Sequence, residues 1–242
     1  MIKFAVLAPL VQILFLMTPT QSSAEMVPVP GTSPQLLVSN QHPRILINPQ
    51  VRSELRCRAG LGDSGACASF GNASQVFQAV KSEIDSDFNN NKKGEGYIDQ
   101  YAFLYQLTGN TSYCDLAIES ALEVAAARDC DARPSDCDAE SLGFGRISPV
   151  ALVYDWCYSQ LSSSERAILQ DDLLDHTVIN PIDDTHPEYP HAETITFGFA
   201  IFGDVSDSRI SASIAEHYNA YKNIFLPAAA EIACDGGYDG YA

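Results

Sequence analysis

The sequence predicts an all-α chain built from antiparallel helical hairpins, in the manner of an α/α solenoid or toroid. Three observations predict it. Apolar residues recur at i, i+3, i+4 and i+7 in several windows, which places them on one face of a helix. Helix stop and start signals lie only a few residues apart, so consecutive helices must double back. Between these windows nothing carries the apolar/polar alternation of a half-buried strand.

The elements follow in order. Lys3 precedes an almost wholly apolar run from Phe4 to Met17, and Ser22-Ser23-Ala24 places small residues before a cleavage point. Residues 1–24 therefore read as a secretory signal peptide. The run is short for a span of about 20 residues. No later segment reads as a span, so the expected location is secreted or periplasmic, with no membrane span after cleavage. Residues 25–41 are rich in Pro, Ser and Gln and are expected to be extended, and His42-Pro-Arg-Ile-Leu-Ile47 is an apolar lead-in.

Helical signals dominate from Asn48. Ile98, Tyr101, Ala102 and Tyr105 share one face, and Gly109 follows as a C-terminal stop. A second helix starts near Thr111 with Cys114, Ala117, Ile118 and Ala121 on its face, which closes the first hairpin. Ser148 and Pro149 supply a cap and first helical position for the next helix, whose face is Val150, Val153, Tyr154, Cys157 and Leu161. Ser162 and Glu165 form a Ser-x-x-Glu capping box before a helix to about Val178 that carries Leu169 and Leu173. A third pair is expected from about His191 to Phe202 and from about Ser208 to Ala233. Asp204 to Asp207 forms its turn, and Pro227 interrupts the last helix.

Charge and cysteines bound the function. The chain holds 31 acidic against 14 basic residues, a formal net charge of −17. Such a chain does not bind nucleic acid through a general positive field. Its seven cysteines fit an oxidising compartment. Cys57 and Cys67 flank a Gly-rich loop, and Cys130 and Cys137 flank an Asp-Pro-Ser loop, so both pairs are candidate disulfides. Cys114 and Cys157 are either a third pair or two core thiols, which leaves Cys234 as the odd residue. Asn72 and Asn110 begin glycosylation sequons.

Four segments resemble, in their order, the helical domain of the heparinase II/III-like family of polysaccharide lyases. They are His42 to Ile47; Tyr101 to Gly109 with Tyr113 to Ala117; Ala151 to Trp156 with Leu161 to Arg166; and Asp235 to Tyr241. The resemblance implies an incomplete α/α toroid over residues 42–242. In the family a large β-sandwich domain follows, and the sequence holds nothing similar. The expectation is a truncated chain, with the architecture of the enzyme and not necessarily its full activity.

The chemistry implied is β-elimination beside a uronic acid, on an acidic polysaccharide. It needs a group to neutralise the sugar carboxylate, a base for the C5 proton and an acid for the leaving oxygen. His191 matches the family's histidine at a helix start, although Pro190 and Ala192 stand where an Asn neighbour is usual. Glu193 could take the neutralising role if protonated. Tyr241 is the matching proton-handling tyrosine, and Tyr238, Asp239 and Trp156 are the remaining candidate substrate-binding residues. Tyr154 falls on the core face, and Arg209 reads as a surface ion-pair partner.

Asp183 to Glu188, with His191 after it, groups acids and imidazoles that could hold Zn²⁺ or Ca²⁺. It lacks a regular ligand spacing such as His-x-x-x-His, so no metal or other cofactor is expected. Two other functions stay open. An inverting glycoside hydrolase on an α/α barrel needs two carboxylates about 6.5–9.5 Å apart, for which Asp155, Asp239 and Glu193 are available. A non-catalytic carbohydrate-binding or scaffold domain needs none.

Overall fold

In the computed structural model the described residues are 24–62, 67, 73–127, 149–179 and 188–227. Among them the chain is mostly helical, as the periodicity predicts. The segment expected to be extended pairs with itself. Strand β1 (Met26–Pro28) runs antiparallel to β2 (Leu37–Ser39), with Val27 opposite Val38. Thr32 closes the turn by donating through Oγ1 to the Val29 carbonyl at 2.9 Å and accepting from the Leu36 amide at 2.8 Å. A composition rich in Pro and Ser hid this small sheet from a search for alternation.

The helices are α1 (Pro49–Arg58), α2 (Ser74–Asn89), α3 (Glu95–Thr108), α4 (Thr111–Ala127), α5 (Pro149–Trp156), α6 (Ser163–Ile179), α7 (Glu188–Ile201) and α8 (Ser208–Ala220). Their ends follow local chemistry. Asn48 caps α1 by accepting from the Val51 amide at 2.9 Å, and Pro49 sits at the start. Gly109 ends α3 at φ 77°, a left-handed conformation that suits glycine. The capping box of α6 forms in both directions: the Ser162 amide donates to Glu165 Oε2 at 2.7 Å, and the Glu165 amide donates to Ser162 Oγ at 3.3 Å. Asp207 caps α8 through the Arg209 amide at 2.8 Å. Ser148 lies outside the described residues.

Pro227 acts one turn earlier than its own position. The α8 axis continues as a π-helical turn, Tyr221–Phe225, in which the Leu226 amide reaches the Tyr221 carbonyl. A proline cannot donate to the ladder and its ring crowds the preceding turn, and a π-bulge is one way a helix absorbs that crowding.

The hairpins stack in two layers. Helices α3, α5 and α7 pack side by side, and α4, α6 and α8 pack side by side over them. Each short turn joins one layer to the other, so the three turns lie at one edge. The chain enters α7 and leaves α8 at the opposite edge. The core runs between the layers through Tyr101, Leu104, Tyr154, Leu169, Leu173, Phe197 and Ile214, all fully buried. Helix α3 is buried on more than the one face its spacing implies, because α1, α2, α4 and α5 all pack on it.

Two disulfides form among the described residues. Cys57 pairs with Cys67, as expected, and Cys114 pairs with Cys157, which joins the first hairpin to the second. Cys130, Cys137 and Cys234 lie outside the described residues. No described helix is long and apolar enough to cross a membrane.

Candidate functional site

The N-terminal segment is a strap that runs from the C-terminal end of α8 to the turn edge. Its hairpin docks on α8, where the Ser33 amide donates to Asn219 Oδ1 at 3.1 Å and Asn219 Nδ2 donates to the Gly31 carbonyl at 3.0 Å. Further along, basic side chains meet helix C-termini, where carbonyls lack intrahelical partners and the dipole is negative. Arg52 Nε donates to the Gln106 carbonyl at 2.7 Å, and Arg56 donates to the Leu107 carbonyl, both at the end of α3. Arg44 donates to the Phe202 carbonyl just past α7.

At the centre of the strap is a buried charge cluster. Asp155 sits in α5, where every other residue is also buried. A carboxylate there needs partners. It accepts from His42 Nδ1 at 2.5 Å, from the Arg44 amide at 2.9 and 3.0 Å, and from the Ile45 amide at 2.8 Å. His42 Nε2 lies 2.8 Å from Asp204 Oδ2, and Arg44 Nη2 lies 3.1 Å from Asp204 Oδ1. Tyr154 donates to Asp204 Oδ2 at 3.0 Å and accepts from Gln170 Nε2 at 2.7 Å. The His42 ring stacks on Tyr158 with centroids 3.8 Å apart, and the Arg166 guanidinium lies over the same tyrosine at 4.5 Å.

The electrostatics follow from these contacts. Burial alone would raise the Asp204 carboxyl. The hydrogen bond from His42, the Arg44 charge and the Tyr154 hydroxyl outweigh it and hold Asp204 below its ordinary value of 3.8. Burial raises the Tyr154 phenol far above the ordinary tyrosine range, with the Asp204 charge adding to the rise.

The sequence-predicted site residues fall elsewhere. His191 and Glu193 lie in the first turns of α7, at the edge opposite the turns and the His42 cluster. Glu193 is buried, and one turn further along Phe197 meets the ring of buried His176 from α6 at 5.4 Å. Ser213 of α8 donates to the Thr177 carbonyl at 2.5 Å, which brings His217, one turn on and also buried, to a similar level. His176, Glu193 and His217 thus come from three adjacent helices to within about one 5.4 Å turn of a common level. His176 and His217 were not singled out from the sequence. Each sits in an amphipathic window where a buried histidine cannot be told from a surface one.

Trp156 is buried. Its Nε1 donates to the Ile45 carbonyl at 2.9 Å and its ring packs on Phe103. Arg209 pairs with Asp207 at 2.7 Å, as expected of a surface partner. Tyr238, Asp239 and Tyr241 lie outside the described residues, as do Asp183 to Pro187. Among the described residues no group of three His, Cys, Asp or Glu is arranged to hold a metal ion. No family model, curated protein or solved structure matches the chain.

Proposed function

We propose that this chain is the helical domain of an exported polysaccharide lyase of the heparinase II/III-like type, with its hairpins forming part of an α/α toroid. It acts by β-elimination on a polysaccharide that contains uronic acid. One observation carries the reading. The stacked hairpins start α7 with His191 at one edge, and α8 returns the chain to that same edge. A base from one helix start and a tyrosine from the following segment can then meet one sugar ring.

In this reading His191 removes the C5 proton or neutralises the carboxylate, and Tyr241 acts as base or acid. Buried Glu193, if protonated, donates to the sugar carboxylate in place of the usual asparagine. The union of His42 to Ile47 with Tyr154 to Trp156 adds support, since two of the resembling segments complete each other's hydrogen bonds.

The test is incubation of the chain with pectate, alginate and glycosaminoglycans while absorbance near 235 nm is followed. Unsaturated product should accumulate, and His191→Ala should abolish it. New reducing ends without that absorbance would replace elimination by hydrolysis. Equal elimination by His191→Ala would refute the site.

A further inference from the structure

Two Asn-x-Ser sequons stand in the sequence, and the function proposed above uses neither. Asn72 lies outside the described residues. Asn110 lies among them, in the turn between α3 and α4, followed by Thr111 and Ser112. All three residues are exposed. The middle residue is not proline, the one residue that the pattern excludes there.

The hydrogen bonds around Asn110 single out one atom. Its backbone amide donates to Thr108 Oγ1 at 3.2 Å, and its carbonyl accepts from the Tyr113 amide at 3.3 Å. Its Oδ1 accepts from the Ser112 amide at 3.2 Å, which makes an Asx turn. Nδ2 remains, and among the described residues it has no partner. The turn therefore ties down the oxygen of an exposed side chain and leaves its nitrogen available. Space beside the turn is open: Gly109, just before Asn110, has φ 77°, and a Cβ added there would meet nothing within 4 Å.

We propose that Asn110 Nδ2 carries an N-linked oligosaccharide when the chain is exported through a secretory pathway that holds the transferase. The donor is an oligosaccharide joined through C1 to a lipid diphosphate. Nδ2 attacks C1, the N–C1 bond forms and the C1–O bond to the diphosphate breaks. The lipid diphosphate leaves with the electron pair, and a base of the transferase takes one Nδ2 proton. The product keeps Oδ1 and one N–H, so the three hydrogen bonds that shape the turn all survive. The turn lies at the edge opposite His191, so the glycan stands clear of the candidate catalytic edge. The site rests on the export part of the reading above and not on its elimination chemistry.

The same hydrogen bonds would serve a plain helix start, and Ser112 separates the two roles. Ser112→Ala keeps the backbone amide that Oδ1 accepts from but removes the hydroxyl that the sequon requires. The experiment expresses the chain in cultured mammalian cells in two forms, with its own residues 1–24 and with a leader of the host in their place. Protein from cells and medium is digested with peptide N-glycosidase in heavy-oxygen water, which turns a glycosylated Asn into a labelled Asp. Mass spectrometry of the peptides then reads the label. Label at Asn110 is expected in both forms. Asn72→Gln and Ser112→Thr should retain it, and Ser112→Ala should abolish it. Label only with the host leader would overturn the export reading and leave the site standing. An unlabelled Asn110 in both forms, or label unchanged by Ser112→Ala, would overturn the proposal, and elimination at 235 nm would still be read separately.

Discussion

Asp155→Ala is the sharpest perturbation of the strap. The wild-type carboxylate is fully buried and holds His42 and the amides of Arg44 and Ile45. Alanine leaves two backbone amides in the interior without acceptors, at about 1–3 kcal/mol each. It also strips a buried imidazole of its closest carboxylate, and breaking a buried pair costs roughly 3–5 kcal/mol. These costs overlap, since all three partners share one site. The expected loss is therefore about 4–6 kcal/mol, a large part of a typical 5–15 kcal/mol total. Asp155→Asn keeps one acceptor oxygen and should lose about half as much. Urea unfolding under non-reducing conditions gives the magnitude, and hydrogen exchange at Arg44 and Ile45 gives the cause. A loss below about 1.5 kcal/mol, or amides as protected as before, would show that the strap is not anchored through Asp155.

Three further outcomes follow from the same contacts. At Gly198, an added Cβ would lie 2.5 Å from Ile214 Cγ1 and 2.9 Å from Cδ1, so Gly198→Ala should cost about 1–3 kcal/mol by overpacking α7 on α8. Thermal unfolding measures the loss, and Ile214→Val in the same chain should recover part of it; no loss at all would mean the helices separate freely. The Asp204 carboxyl is held below 3.8, so its stabilisation is complete above that value and disappears as pH falls through the lowered one. Asp204→Asn should flatten stability against pH below about 4 by up to ~1.4 kcal/mol per unit, and an unchanged slope would contradict the assignment. Replacing both Cys114 and Cys157 by alanine opens a bridge of sequence separation 43. The chain-entropy relation puts the loss near 4 kcal/mol, and a denaturation midpoint equal to wild type would argue against a formed bridge.

Local signals were legible where the chemistry itself is local. The Ser162/Glu165 box, the Gly109 stop and the buried stripes of α4 and α6 each involve residues within two turns of one another, so spacing alone encodes them. The bond between His42 and Asp155 crosses 113 positions, and no periodicity records it. Asp155 did leave a trace: it is the lone charge in Pro149 to Trp156, and a charge inside an apolar helix must be matched from elsewhere. Asp204 left none, because in an acidic turn it reads as one more solvated carboxylate. The candidate site divides the same way. His191 is a candidate by resemblance alone, whereas the bond from Arg52 to the Gln106 carbonyl arises only once α1 meets the end of α3.

The strap has a consequence for the order of assembly. It is the first described part of the chain to be synthesised and the last able to settle. Its partners lie in α3, α5, the turn after α7 and α8, and the contact between His42 and Asp204 spans 162 positions. Closing loops of that length costs entropy before any contact repays it. Until Asp204 has been added, Asp155 is the only one of the cluster's two carboxylates available to His42 and Arg44, and the carbonyl past α7 that Arg44 caps does not yet exist. The N-terminal segment therefore closes the structure, in the way a final stitch secures a seam whose other stitches are already in place.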